Sequence, residues 1–225
     1  MKTKVLTGAY FIIGILYMCY SGIISVLPAF ILKILVIPVL MLILVLSFFT
    51  EKNRLHRLMF AGLFFSWAGD ILLEIPESYG DLFIPGLVSF LLAHVMYLMV
   101  FFSTPGRSVI IKKPFLLLPV LIYGAVLVYW LYNDLNGMRV PVILYAIVIL
   151  TMLSGSINRL EKVNRSSYWL VLAGAVLFVI SDSLIAVNKF SYHIEYSRIW
   201  VMATYISAQY LIITGYIRQF REKVY

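Results

Sequence analysis

The composition of this 225-residue chain is that of a membrane protein. Hydrophobic residues make up 63% of the sequence, charged residues only 12%, and the mean hydropathy is +0.98. A soluble domain has roughly 45–50% apolar and about 25% charged residues, so a water-soluble globule is excluded. In such a protein the positions of the charges behind the net +8 indicate membrane orientation and do not point to a nucleic-acid partner. The single cysteine, Cys19, excludes a disulfide framework and a cysteine-based metal site.

Eight hydrophobic segments are long enough to cross a bilayer as helices, which takes about 20 mostly apolar residues. Breaks in hydropathy, with Gly and Pro near the ends, place them at about 5–21, 28–49, 58–75, 84–103, 115–132, 139–156, 167–187 and 198–217. We find no convincing small-x-small cleavage site before the second segment, so we interpret the first as a retained helix and not as a signal peptide. The sequence therefore predicts an all-α membrane protein, with residues 1–225 in a single integral membrane domain of eight transmembrane helices.

The distribution of Lys and Arg predicts the orientation of these helices. With the N-terminus inside, 14 basic residues fall on the cytoplasmic side: Lys2, Lys4, Lys52, Arg54, Arg57, Arg107, Lys112, Lys113, Arg159, Lys162, Arg165, Arg218, Arg221 and Lys223. Only Arg139, Lys189 and Arg198 fall on the opposite side. Because cytoplasmic loops of membrane proteins are enriched in basic residues, this asymmetry favours an even helix count with both termini in the cytoplasm.

The third and seventh predicted helices share a short pattern. Gly62, Asp70 and Leu72 in the third have the same spacing as Gly174, Asp182 and Leu184 in the seventh. Both helices run from inside to outside, so two parallel repeats of four helices are one interpretation, and a chance match between apolar segments is the other.

Three ionisable residues lie inside predicted spans, where each costs about 2.5 to 3.5 kcal/mol on the insertion scale. Lys33, Asp70 and Asp182 are each five positions from the predicted outer end of their helix, which puts them at one depth, roughly 8 Å below that boundary. Further polar side chains in the fourth, sixth and eighth spans enter from the same side: His94, Tyr145 and Gln209. We expect a polar layer in the outer half of the bundle.

Helical spacing places several polar and small residues of the third span on one face: Gly62, Ser66, Gly69, Asp70 and Glu74. Gly174, Ser181 and Asp182 share a face of the seventh span, and Gly86, Phe90, His94 and Tyr97 share one of the fourth. From this we expect a cavity lined by the second, third, fourth, sixth, seventh and eighth helices and open toward the non-cytoplasmic leaflet. Glu74, at the end of its helix, is expected to be solvated.

Two intramembrane carboxylates are the main chemical equipment. In a low-dielectric site, desolvation and mutual repulsion can keep one Asp protonated while the other is ionised, which provides a general acid and a general base. Helix-stabilising carboxylates, one of them paired with Lys33, are the structural alternative, and a proton relay in a transporter is the other functional one. An intramembrane aspartyl protease would need a G-x-G-D pattern, but Trp67 stands two residues before Gly69. No motif for a metal, a nucleotide or another cofactor occurs, so we expect none.

Four segments carry a resemblance to a known family: AGLFFSWAGDILLEIP around Asp70, FLLAHVMYLMVFF around His94, GAVLFVISDSLIA around Asp182 and TYISAQYLIITG around Gln209. Together they resemble the YhhN family, which includes the lysoplasmalogenases, over nearly the whole chain. The resemblance implies an integral membrane enzyme that hydrolyses the vinyl ether of a lysoplasmalogen to a fatty aldehyde and glycerophosphoethanolamine or glycerophosphocholine. A related reaction on another lysolipid is the alternative within the same class.

Joining the residues with the resemblance gives a hypothesis for the mechanism. Asp70 and Asp182 are the catalytic pair, and we favour Asp182 as the acid because it has no second carboxylate one turn away and no evident neighbouring cation in the sequence. Lys33 binds the lipid phosphate or steadies the ionised Asp. Ser66, Glu74, His94, Tyr145 and Gln209 bind or orient substrate and water. The expected partners are a lysophospholipid and the bilayer, either a bacterial inner membrane or the endoplasmic reticulum.

Overall fold

A computed structural model of the chain describes residues 2–21, 26–48, 53–75 and 80–221. Over these residues the chain is helical and has no strand, which confirms the all-α prediction. The long helices are α1 (Lys2–Ser21), α2 (Val26–Ser47), α3 (Arg54–Glu74), α4 (Phe83–Phe102), α6 (Leu118–Leu131), α7 (Arg139–Ile157), α8 (Arg165–Phe190) and α9 (Ser197–Arg221), and α5 (Val109–Lys112) is a single turn. The eight long helices fall on the eight predicted segments.

Six of these helices are long and apolar enough to cross a membrane: α1, α2, α4, α7, α8, and α6 together with the 3-10 turn Pro114–Leu117 before it. The protein is therefore a multi-pass membrane protein. Helices α3 and α9 have 21 and 25 residues, which is also sufficient length, but they contain more polar residues. Asp70 lies on α3 and Gln209 on α9, so each of these two helices carries a residue of the predicted polar layer.

The chain divides into two compact units, Met1–Tyr97 and Leu98–Tyr225. The first unit holds α1, α2, α3 and most of α4, and the second holds the end of α4 and the helices that follow. Each unit therefore has four long helices or nearly so.

In the first unit, α1 packs on α2, α2 on α3, and α3 on α4. Two glycines of α3 permit the last contact. A Cβ on Gly62 would lie 2.5 Å from the Tyr97 ring, and one on Gly69 would lie 2.6 Å from the Phe90 ring. Small residues let membrane helices approach closely, so this face of α3 receives the aromatic side chains of α4.

In the second unit, α8 and α9 form the closest helix pair. A Cβ on Gly174 would lie 2.8 Å from the carbonyl oxygen of Ala208, and one on Gly215 would lie 3.0 Å from the carbonyl oxygen of Ser167. The Ser167 hydroxyl donates a 2.6 Å hydrogen bond to the Gly215 carbonyl. At the start of α8, the Asn164 side chain caps the helix by accepting from the Ser167 N–H at 2.7 Å.

The turn between α7 and α8 holds a buried cation. Arg159 was counted above among the basic residues of the cytoplasmic loops, but its side chain is buried, with only 1% of the residue exposed. Its Nη2 donates to Ser167 Oγ at 2.8 Å and to Gln219 Oε1 at 2.9 Å, and the guanidinium lies over the Phe101 ring. Burial lowers the pKa of Arg159 to about 10, against an opposing contribution from Tyr216. Arg159 thus joins α7, α8 and α9 at one end of the unit.

Candidate functional site

The first unit contains a buried ion pair between α2 and α3. Lys33 Nζ lies 2.8 Å from Glu74 Oε2, and both side chains are nearly buried. The Tyr17 hydroxyl of α1 donates to the same Glu74 oxygen at 3.4 Å, and Lys33 Nζ lies 6.0 Å from the centre of the Tyr17 ring. The expectation that Glu74 is solvated is therefore wrong. Lys33, one turn or more inside α2, draws the carboxylate inward because a buried ammonium needs a counter-charge.

Asp70 belongs to the same cluster. It precedes Glu74 by one helical turn, is 3% exposed, and interacts electrostatically with Lys33. One ammonium thus faces two carboxylates, all within the apolar interior of the unit.

The Trp67 side chain fastens α3 to α2 beside this cluster. Its indole Nε1 donates to the Ile34 carbonyl at 2.9 Å, directly after Lys33 in the chain. Sequence reasoning considered Trp67 only as a departure from a protease motif. The available signal was the indole N–H itself, which needs an acceptor when it lies away from water.

Two further predicted residues are buried in the first unit. Ser66 on α3 and His94 on α4 are both 0% exposed. The Ser89 hydroxyl, also on α4, donates to the Phe65 carbonyl at 2.7 Å and ties the two helices together at this level. Ser66 and His94 therefore lie in the α3 and α4 interior, on the faces where helical spacing places them.

The second unit contains a different arrangement around Asp182. The Tyr145 hydroxyl of α7 donates to Asp182 Oδ2 of α8 at 2.5 Å. Both side chains are partly buried and line a cavity of about 50 Å³ between α6, α7 and α8. Since a site needs roughly 10–15 Å³ to hold one water, this cavity has room for more than one.

The rest of that cavity is mainly apolar. Leu127, Val142, Ile149 and Val179 are among its walls, and none of the described residues that line it carries a basic side chain. The position of Asp182 therefore contrasts with that of Asp70, which lies beside an ammonium.

A second hydroxyl pair lies next to Asp182. The Tyr123 hydroxyl of α6 donates to Ser183 Oγ at 2.8 Å, and Ser183 Oγ donates to the Val179 carbonyl at 2.7 Å. Sequence reasoning missed both residues. Ser183 could have been found from its place beside Asp182, whereas nothing in the α6 segment distinguishes Tyr123 from the other aromatic residues of the chain.

Gln209 on α9 is fully buried, one helical turn from Tyr205 and within the α8 and α9 pair. The described lining of the Asp182 cavity does not include it. The structure thus brings Lys33, Glu74 and Asp70 together in the first unit and Tyr145 and Asp182 together in the second. No group of three or more metal-ligating side chains is found among the residues described.

Comparison with known proteins identifies the family. The model of the YhhN family matches residues 29–216, which is most of the chain. The chain belongs to the YhhN family. The match begins within α2 and ends within α9, so the YhhN segment includes every predicted site residue.

Relatives of this YhhN chain have been given functional names. It is 33% identical to the Bos taurus protein named lysoplasmalogenase TMEM86A, over 73% of this chain and 67% of that protein. It is 32% identical to lysoplasmalogenase TMEM86B of Rattus norvegicus, over 80% of this chain and 70% of the relative. A Mycobacterium tuberculosis protein named lysoplasmalogenase is 27% identical over 73% of this chain and 62% of its own length. No solved structure shows a significant match.

Proposed function

We propose that this YhhN protein is a lysoplasmalogenase, a membrane enzyme that hydrolyses the vinyl ether bond of a lysoplasmalogen. The observation that carries the proposal is the hydrogen-bonded Asp182–Tyr145 pair, which lines a cavity of about 50 Å³ with mainly apolar walls. Relatives named lysoplasmalogenase, which match most of the chain, support the choice of substrate. The substrate is a single-chain phospholipid with an ethanolamine or choline headgroup.

Vinyl ether hydrolysis begins with a proton transfer to carbon. The acid protonates the vinyl carbon that is not bonded to oxygen, and the positive charge that forms is shared between the other carbon and the ether oxygen. Water adds to that carbon and loses a proton to a base. The resulting hemiacetal loses glycerophosphoethanolamine or glycerophosphocholine, whose oxygen takes up a proton, and the aliphatic product is an aldehyde.

In this mechanism Asp182 is the acid and Asp70 the carboxylate that stays ionised. The Tyr145 hydroxyl holds the Asp182 carboxyl group in one orientation, at a cavity whose described lining carries no basic side chain. Asp70, which interacts electrostatically with Lys33, is the proposed second catalytic carboxylate. The pairing of Lys33 with Glu74 supports its role as a counter-ion more than a role in binding phosphate.

The other polar residues support these two. Glu74 fixes Lys33, and Ser66, His94 and Gln209 orient substrate or water from their buried positions. Because these groups lie on α3, α4 and α9, the proposal also requires that α3 and α9 cross the membrane. Eight crossings, with both termini in the cytoplasm and α1–α4 repeated by α6–α9, account for the basic residues and for four long helices or nearly four in each unit.

The test is aldehyde release from lysoplasmalogen by the purified full-length protein. We expect release from the vinyl ether lipid and none from a saturated ether lipid with the same headgroup. Asp70→Asn and Asp182→Asn should each lower it by about 10²-fold or more, while Asp81→Asn and Asp134→Asn, which change exposed carboxylates, should leave it unchanged. Full turnover by either Asp70→Asn or Asp182→Asn in a folded protein would contradict the mechanism.

A proton-coupled transporter is the second candidate, and the buried Lys33, Glu74 and Asp70 cluster is the observation that favours it. It predicts no aldehyde from a folded protein and proton-dependent solute flux in proteoliposomes. Release of a different product from another lysolipid would instead keep the enzyme and change its substrate.

A further inference from the structure

A second cavity adjoins the one that contains Asp182. It has a volume of about 310 Å³ and lies between α6, α8 and the residue Ile194 beyond α8. Tyr123, Leu127 and Ser183 line both cavities. The hydrogen bond between Tyr123 and Ser183 therefore lies at the junction of the two spaces.

The walls of this second cavity, here called the α6–α8 groove, are nearly all apolar. Val126 and Trp130 of α6 face Ile180, Leu184 and Val187 of α8 across it. These residues recur at spacings of three and four, so they form one face of each helix. Val126 and Trp130 are more than half exposed, and the groove is open along that side.

One end of the groove is closed by a packed cluster. Val187 belongs to a group of buried side chains with Leu131 and Leu135, and Leu127 and Ile194 pack against it. The Ile194 N–H donates to the Asn188 side chain at 2.9 Å, which holds this segment in place. The groove thus begins at the Asp182 cavity and ends against a hydrophobic wall.

The chemistry of the reaction requires such a space. The vinyl carbon that takes the proton is also the carbon from which the aliphatic chain continues. A chain whose reacting carbon lies at Asp182 must leave past the walls of that cavity, and the α6–α8 groove is an apolar space that adjoins them. Its volume lies near the lower end of the range of roughly 300–1,000 Å³ typical of small-molecule sites.

We propose that the α6–α8 groove binds the aliphatic chain of the lysolipid substrate and sets the preferred chain length. The proposal rests on the proposed function, because the position of the reacting carbon at Asp182 selects the occupant. Tyr123 and Ser183, which line both spaces, lie at the boundary between the reacting carbon and the groove. Leu127 packs on the same part of the chain from α6.

Val126→Trp is the variant that tests the groove. Val126 lies in the groove but does not line the Asp182 cavity, and its exposure leaves room for a larger side chain without disturbing the core. We expect kcat/KM for a long-chain lysoplasmalogen to fall by about tenfold or more, while that for a short-chain one changes little. Val140→Trp is the matched control, since Val140 is 77% exposed on α7 and lines neither cavity.

A second measurement separates the groove from the activity. A single-chain lysolipid with a photoreactive group at the end of its chain should label the α6 and α8 segments of the wild type and of Val140→Trp, and label Val126→Trp much less. Absence of aldehyde together with this labelling would overturn the proposed function but leave the groove as a lysolipid site. Identical chain-length profiles in both tryptophan variants would overturn the groove proposal. Equal labelling by a two-chain phospholipid probe would overturn it too, because the occupant would then be an ordinary bilayer lipid.

Discussion

The two units surround their aspartates in different ways. Asp70 and Asp182 share the spacing from a preceding glycine and to a following leucine, yet Asp70 lies beside the Lys33–Glu74 ion pair and Asp182 beside the Tyr145 hydroxyl. The first unit surrounds its carboxylate with charge, and the second surrounds it with apolar walls and a phenol. A shared local pattern therefore specifies where a carboxylate lies on its helix. Its electrostatic surroundings come from the neighbouring helices.

The buried cations of the two units differ in a parallel way. Lys33 has a carboxylate partner at 2.8 Å, whereas the hydrogen bonds of Arg159 go to the neutral oxygens of Ser167 and Gln219. Lys33 therefore belongs to a cluster of opposite charges inside a unit. Arg159 acts as a link between helices at the end of one.

The largest expected effect is on catalysis, and it differs between the two aspartates. General acid–base groups contribute about 10²–10⁴-fold, and we expect Asp182→Asn to lie near the upper end of that range, since the described cavity lining offers no other carboxyl group. Asp70→Asn should lie near the lower end, because Glu74 retains a carboxylate at Lys33. Initial rates of aldehyde release would measure both. A larger loss in Asp70→Asn than in Asp182→Asn would reverse the assigned roles.

The ion pair of the first unit should matter most for stability. Removing one partner of a buried pair costs about 3–5 kcal/mol, so Lys33→Met and Glu74→Gln should each lower the stability of the protein strongly. The double variant should be more stable than Lys33→Met alone, since it leaves one carboxylate, Asp70, without a cation where Lys33→Met leaves two. Thermal unfolding in detergent measures this, with Lys113→Met, which breaks the exposed pair with Glu161, as control. Additive losses in the double variant would show that the two side chains do not act as a pair.

Replacing glycine by alanine should lower stability at a close helix contact but not at a position with open space around it. Gly174→Ala places a Cβ against the backbone of α9, which cannot move aside as a side chain can, and we expect a loss of about 1–3 kcal/mol. Gly8→Ala is the control because a Cβ there meets nothing within 4 Å, and alanine is the better helix former. Thermal unfolding is again the measurement. Equal stability of the two variants would mean that α8 and α9 can separate at little cost.

The smallest effects compare the two phenols that hydrogen-bond to acids. Tyr145→Phe removes a 2.5 Å hydrogen bond to Asp182, and we expect kcat to fall by about tenfold, a change of about 1.4 kcal/mol. Tyr17→Phe removes a 3.4 Å hydrogen bond to Glu74, which also has Lys33 as a partner, and should change kcat by less. Steady-state kinetics of both variants test the ranking. A larger fall in kcat from Tyr17→Phe than from Tyr145→Phe would place the general acid of the reaction in the first unit.

Much of the fold follows from hydropathy, while the partners in the sites do not. The helix positions were predictable because apolar runs of this length have few alternatives to helix in a bilayer. The burial of Asp70 and His94 agrees with their place on helix faces that also hold small residues. The Lys33–Glu74 pair was missed because Glu74 ends its helix, and a position near a helix end says little about what a neighbouring helix offers.

Composition, hydropathy and the local family motifs are sufficient to identify an all-helical membrane protein of the YhhN family with carboxylates inside its helices, because so apolar a chain is stable only in a bilayer. Which side chains meet depends on the tertiary structure. Tyr145 reaches Asp182, Tyr123 reaches Ser183, Trp67 reaches Ile34, and Arg159 is withdrawn from the surface. These contacts depend on the rotation and depth of each helix relative to its neighbours. Rotation and depth are set by the packing of all the side chains between the helices, and the periodicity of a single helix does not specify that packing.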